Sequence, residues 1–357
     1  MSMSKRRNAV AGSLVVALLS VTLLVAGCGG EKKAGVTKQE GSQTKSGEPQ
    51  FVRMVTSGVG SSHYTMTVGM SDIVNKKTSI RTSVDSGGGA DASVRMVRDG
   101  KAQVGLVTSS SARNGFLGKG QFAKEKKADI RMIMAGQLSA RTIVARADKG
   151  VKIIADLKGK PFAAKRLGVE DVEEIGVATL KAFGVDPKDV KFIETADVKQ
   201  QTEALSQGRV AAAVFPGGIP TGTIIQLAQS TDVVFLSMGD KVDAILADMG
   251  PAYSKAVIPA GTYKGQTGDV VTIGSKNVLI ASADLPDQTV YEITKALFSN
   301  YEDLKLVHNE AKDWTVKNSL VSPALPFHPG AIKYFKEIGA WNDNLDKIQQ
   351  KLLQEVK

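Results

Sequence analysis

Cysteine is nearly absent: Cys28 is the sole one in 357 residues, so no disulfide can close within the chain. Histidine is almost as scarce, with only His63, His308 and His328. His308 and His328 have no companions at metal-ligand spacing, and no metal site is expected. A Ser-His nucleophile has few ways to form from three imidazoles, and no P-loop or G-x-S-x-G turn appears. The chain is therefore not expected to be an enzyme, and no cofactor is expected. Aromatic residues make up only 5%, whereas glycine is abundant at 36 residues. That mix suits an α/β protein with many tight turns better than a β-sandwich. Long blocks of one charge are also missing. The formal charge is +10, but its basic residues are scattered, so a nucleic-acid partner is not expected.

One long apolar run is present, and it lies at the N-terminus. Lys5, Arg6 and Arg7 precede an apolar stretch over 9–26 that ends Val25-Ala26-Gly27-Cys28. This resembles a bacterial lipoprotein signal with its lipobox. The resemblance implies cleavage after residue 27 and lipidation of Cys28; an ordinary membrane anchor with a chance cysteine is the alternative. Loss of the three basic residues takes the charge from +10 to +7. Residues 28–50, rich in Gly, Lys, Ser, Thr, Gln and Glu, hold too little apolar surface to order themselves and read as a tether. Its ~20 residues span roughly 25 Å as a flexible coil. The expectation is a folded body outside the cytoplasm, tied to a membrane through Cys28.

With 42% hydrophobic residues, the body is long enough for two cores. It opens with a strand over 51–56, then Ser57-Gly58-Val59-Gly60-Ser61-Ser62, then a helix starting near His63-Tyr64. A hydroxyl-rich turn at a helix N-terminus presents free N–H groups and the positive end of the helix dipole to an anion. The alternative is a plain βα turn whose Gly and Ser only permit the bend. A dinucleotide fingerprint is disfavoured because His63 occupies the place of its third glycine. Further strands are expected over 80–84 and 102–107. They end in Ser86-Gly87-Gly88-Gly89 and Thr108-Ser109-Ser110-Ser111, with Asp91 a candidate N-cap for the intervening helix. In open parallel sheets the ligand crevice lies beyond the carboxyl ends of the strands. The loops at Ser57, Gly87 and Ser109 should therefore share one rim.

A second α/β series starts near Arg141. Strands are expected over 142–146, 161–164, 190–193 and 233–236, and helices over 170–183, 198–206 and 243–249. Pro216-Gly217-Gly218 opens another loop before a helix. Residues 258–266 read as extended, and 270–281 as a long strand crossing back. The segments Met96 to Val107 and Ala204 to Phe215 share one pattern: helix end, glycine cap, basic residue, buried strand. Any two βαβ units look alike, but the pattern also fits two α/β lobes facing each other across a cleft.

In order along the body, several stretches resemble the TAXI group of solute-binding proteins, the extracytoplasmic receptors associated with TRAP transporters. They are Ser57-Gly58-Val59-Gly60-Ser61-Ser62-His63-Tyr64, Val144-Ala145-Arg146-Ala147-Asp148-Lys149-Gly150-Val151, Ile154-Ala155-Asp156-Leu157-Lys158-Gly159-Lys160, Ile258-Pro259-Ala260-Gly261-Thr262-Tyr263, Asp284-Leu285-Pro286 and His328-Pro329-Gly330-Ala331. The resemblance implies a two-lobed fold of the type II periplasmic-binding-protein class. Lobe 1 would hold 51–141 plus 277–357, and lobe 2 would hold 142–276, with hinges near Arg141 and Val278. It implies capture of a small organic anion, a dicarboxylate or a glutamate-like acid, by a monomer that delivers it to an ion-gradient-driven TRAP permease. An ABC importer's binding lipoprotein is the alternative, followed by a surface adhesin.

The family's ligand loops fall on Ser57, Gly58, Gly60, Ser61, Tyr64, Gly87, Gly88, Thr108, Ser109, Ser110, Pro216, Gly217 and Gly218. The chain departs from the family at Ala164-Lys165-Arg166-Leu167-Gly168, where cations replace small hydroxyl donors. Arg166 is positioned to hold a carboxylate bidentately and Lys165 to act as a point charge, if both face the cleft. The family's Gln-Ser-Asp type loop is replaced by Thr108-Ser109-Ser110. That removes a partner for a ligand amine and favours a plain organic acid. His63 reads as a surface helix residue, Arg141 as a hinge ion pair, and Trp314 and Trp341 as anchors for terminal helices.

Overall fold

The computed structural model describes residues 50–355. The expected signal segment, Cys28 and all of the tether but Gln50 lie outside the described residues. Among the described residues no helix is long and apolar enough to cross a membrane.

The chain begins as successive βα units: β1 (Phe51–Thr56), α1 (Ser62–Lys77), β2 (Arg81–Ser86), α2 (Ala90–Arg98), β3 (Val104–Thr108) and α3 (Ser109–Leu117). The long β4 (Ile130–Arg146) leads to a second series. This comprises β5 (Pro161–Arg166), α4 (Asp171–Ala182), β6 (Lys191–Thr195), α5 (Val198–Ser206), β7 (Ala212–Gly217), α6 (Gly222–Ser230), β8 (Val233–Leu236), α7 (Val242–Met249) and β9 (Tyr253–Ile258). β10 (Val270–Ser282) crosses back. Helices α8 (Asp287–Ser299), α9 (Tyr301–Lys305), α10 (Val316–Leu320), α11 (Pro329–Glu337) and α12 (Asp343–Gln354) complete the described chain.

One sheet runs β2-β1-β3-β10-β4-β7-β5-β6, with β8 on β4 and β9 on β10. β1 is parallel to β2 and β3, and β5 is parallel to β6 and β7. β4 and β10 are antiparallel and serve both ends of this sheet. The first part of β4 lies against Val278 to Ser282 of β10. Its last part pairs with β7 and β8, while the first part of β10 pairs with β9. The β4–β10 register shifts between Lys276 and Val278 and again between Leu279 and Ile280. Such irregularities bend and twist a strand locally.

The apolar residues sort into separate cores on either side of that crossing. One joins Val52, Met66, Val107 and Met134 to Leu279, Trp314, Phe327 and Phe335. Two others flank the second series: Ile143, Phe162, Ile175 and Ile273 on one face, Val144, Leu205, Phe215 and Ile258 on the other. Each fully buried Leu, Ile, Val or Phe contributes about 1.5–3 kcal/mol, so each lobe has its own hydrophobic interior. The result is the expected α/β, two-lobed fold of the type II periplasmic-binding-protein kind.

Two local expectations are corrected. Asp91 is not the N-cap of α2; Gly89 takes that place at φ 144°, without a side-chain cap bond. The Asp91 carboxylate is instead buried and accepts hydrogen bonds from Ser111 and Gln121. Residues after Ile258 are not extended. The buried Gln266 amide donates to the carbonyls of Ile258 (3.0 Å), Pro259 (3.0 Å) and Gly268 (2.9 Å), folding them into a turn. The strand of this region is β9, which precedes it.

Candidate functional site

The loops after β1, β3, β5 and β7 meet around one cavity of about 180 Å³ that opens to solvent on one side. Ser57, Ser61, His63 and Thr108 come from one lobe, Arg166, Pro216, Gly217 and Gly218 from the other, and Ser139, Arg141 and Asn277 from the crossing strands. Glu310 closes one side from the segment between α9 and α10. The enclosed part of the cavity is smaller than a drug-sized pocket and suits a small metabolite. A wider outer hollow shares Ser61, Arg166, Gly217, Gly218 and Glu310 and adds Gly60.

The first turn is held by its own serine. The Ser61 hydroxyl donates to the Gly58 carbonyl (2.8 Å) and accepts from the Tyr64 N–H (3.1 Å), capping α1. That leaves α1's first turn aimed at the cavity, with Ser62 and His63 on its wall. His63 is therefore not a surface residue, contrary to the sequence reading. Burial, opposed by a hydrogen bond with the Asn277 side chain and aided by the charge of Arg141, lowers its pKa to about 4, so the ring is neutral near pH 7. Its Nδ1 lies 3.3 Å from the Ser57 hydroxyl. Thr108 caps α3 in the same manner, accepting from the Ser111 N–H at 3.3 Å.

The two arginines differ. Arg141 is fully buried and saturated. Its guanidinium donates through Nε to Asp171 Oδ1 (3.1 Å) and through Nη2 to Asp171 Oδ2, and reaches the Ser139 carbonyl and hydroxyl at 2.8 Å each. The guanidinium of Arg166, at the end of β5, has no hydrogen-bond or ion-pair partner among the described residues while lining both hollows. Desolvation, then the neighbouring Arg141 charge, pulls its pKa below the usual arginine value. It is a half-buried cation with no carboxylate in contact, Asp171 and Asp197 acting on it only from beyond ion-pair distance.

Several expected site residues do not line this cavity. Lys165 points the other way along β5 and pairs with Glu173 at 3.2 Å, because adjacent strand residues face opposite sides. Ser109 donates to the Ala252 carbonyl (2.8 Å) and faces a separate hollow that Lys276 also lines. Ser110 donates to Asp171 (2.9 Å) and so joins the lobes rather than the cavity wall. Gly58 and Tyr64 shape the α1 cap. Gly87 is packed so tightly that a Cβ there would lie 2.6 Å from Ser93 Oγ. Gly88 abuts Gly168 of the other lobe; a Cβ on Gly168 would sit 3.3 Å from the Gly88 carbonyl.

Glu310, Ser139 and Asn277 carried no signal in the sequence. Glu310 lies far along the chain from every loop of the rim and in a short 3-10 turn. Asn277 and Ser139 lie within long buried strands, where alternation identifies a core strand but not a lining residue.

The fold and its interlobe cavity define a two-lobed protein of the periplasmic-binding type. The chain belongs to the NMT1-like family, whose model matches residues 54–339. It is similar in structure to the periplasmic aliphatic sulphonate binding protein SsuA from Escherichia coli, at 14% identity over 85% of this chain and 90% of that one, TM-score 0.44. An ancestral arginine-binding protein bound to arginine matches at 15% identity over 75% and 99% of the two chains, TM-score 0.45. A chain from a structure describing glutathione import via GshT and the cystine ABC importer TcyBC of Streptococcus mutans matches at 14% identity over 74% and 96%, TM-score 0.43.

Proposed function

We propose that the chain is an extracytoplasmic solute receptor that captures a small organic acid, a dicarboxylate or a glutamate-like anion. The observation that carries this reading is the unpartnered Arg166 guanidinium facing a cavity rimmed by Ser57, Ser61 and Thr108. A partly desolvated cation without a contacting counter-ion is costly, and a bidentate carboxylate relieves that cost. The chain itself is the binder and not a catalyst. In this reading the acid settles on one lobe, and β4 and β10 flex as the other lobe closes on it. The ligand acts by shifting the population toward the closed form. Following the TAXI resemblance, the closed form hands its cargo to a TRAP-type permease in the membrane that holds lipidated Cys28. The Thr108-Ser109-Ser110 loop, the other proposed hydroxyl segment, contributes its Thr108 end.

The test is ligand-dependent thermal stabilisation of the full-length chain in mild detergent against a panel of organic acids. A ligand at 100 times its Kd should add about 2.7 kcal/mol, and Arg166→Ala should abolish that gain. Equal stabilisation of wild type and R166A would refute the assignment of Arg166. Uptake into vesicles carrying the permease, driven by an ion gradient or by ATP, separates a TRAP partner from an ABC importer.

A further inference from the structure

The cavity that holds a free cation also holds a free anion. Glu310 lines both hollows together with Arg166. One of its oxygens, Oε2, accepts a hydrogen bond from the Gln137 side-chain amide. Gln137 is in turn fixed by Trp314, whose Nε1 donates to Gln137 Oε1 at 2.6 Å. Both Gln137 and Trp314 are buried, so the amide cannot turn and the carboxylate is aimed. The other oxygen, Oε1, has no hydrogen-bond partner among the described residues. It points at Gly218, where a Cβ would stand only 2.7 Å from it. Among the described residues His308 is the one basic group within ion-pairing range, with Nδ1 3.9 Å from Oε2. That nitrogen already accepts the Glu310 N–H at 3.2 Å, so in the neutral ring it carries no proton to share.

We infer that Glu310 is a specificity-determining residue, and that the ligand carries a cationic amine as well as an acid. The acid end meets Arg166, and the ammonium meets Glu310 Oε1. A plain dianion brings a second carboxylate toward Glu310 and is rejected by like-charge repulsion in a site of low dielectric. This replaces the amine partner that the Thr108-Ser109-Ser110 loop lacks, and it reverses the preference for a plain organic acid drawn from that loop. The inference rests on the anion-receptor reading above.

The experiment uses two pools with the full-length chain: the twenty common amino acids, and the same acids lacking the α-amine. Stabilisation by the amino-acid pool and not by the deaminated pool is expected. Once the binding amino acid is resolved from its pool, Glu310→Gln should weaken it tenfold or more, as loss of a charge-assisted hydrogen bond does. It should also narrow the gap to the deaminated partner, while Glu310→Asp keeps the preference. The melting temperatures of the unliganded variants report whether they fold. Binding of the deaminated pool alone, or an unchanged preference in folded E310Q, overturns this inference and leaves the anion receptor standing. Silence toward both pools overturns both.

Discussion

Arg141 and Arg166 share a cavity but not a fate, and the difference is local. Asp171 opens α4 directly opposite Arg141 and supplies both carboxylate oxygens to it, while Ser110 adds a third contact from the other lobe. Removing one partner of a buried ion pair leaves the other charge uncompensated, at a cost of about 3–5 kcal/mol. Asp171→Ala should therefore lower the urea midpoint sharply, and Arg166→Ala should leave it nearly unchanged. Equal losses in the two would show that Arg141 draws its support from elsewhere. At this scale the sequence was only partly legible. Caps such as Ser61 and the outward-facing hydroxyls follow from local chemistry. The Arg141–Asp171 pair and the aim of Glu310 depend on residues distant in the chain, and no short-range pattern marks them. Lys165 and Arg166 could not be separated until the pleat of β5 fixed which one faces inward.

Among the elements, β4 and β10 decide how the lobes connect. Gly274 of β10 pairs with Ala140 of β4 at the crossing. A Cβ there would lie 2.4 Å from the Ser139 carbonyl oxygen and 2.9 Å from the Ala140 Cα. Both neighbours are backbone and cannot swing aside. Gly274→Ala should therefore force the strands apart, with an overpacking cost of about 1–3 kcal/mol, read as a lower thermal midpoint. A fully stable G274A would mean that the crossing is looser than its spacing implies. The sequence signalled β10 as one long strand and most βα units within a residue or two. It showed only the last part of β4, because the preceding residues read as a generic apolar run with no turn signal of their own. β9 was displaced onto the neighbouring Pro-Gly segment, whose fold is set by the Gln266 side chain.

For the whole molecule, the contact between lobes is acidic. Asp91 from α2 meets Glu170, Asp171 and Glu174 from the start of α4, with Tyr253 on Glu174 (3.3 Å) and Arg95 paired to Glu125 nearby. Asp171 is neutralised by Arg141. Asp91, Glu170 and Glu174 all have raised pKa values, first from burial and then from nearby carboxylates: Asp171 beside Asp91 and Glu174, and Asp91 beside Glu170. A carboxyl with a raised folded pKa favours folding at low pH. That advantage is lost as pH climbs from the ordinary carboxylate range near ~4 through the raised value. His63 acts in the opposite sense: its folded pKa of about 4 costs stability as pH falls from 6.5. Comparing Asp91→Asn with wild type cancels the histidine contribution. The variant's stability relative to wild type should grow as pH rises from about 4 toward neutrality, by urea denaturation. A difference independent of pH would show that Asp91 does not titrate in this range.

Gln137, which steers Glu310, belongs to β4, the same ribbon that must flex if the two halves are to part. Opening the jaws would therefore also turn the selector's aim. A guest would be screened at the moment of shutting rather than at first touch, and a wrong one could enter freely yet fail to keep the door closed.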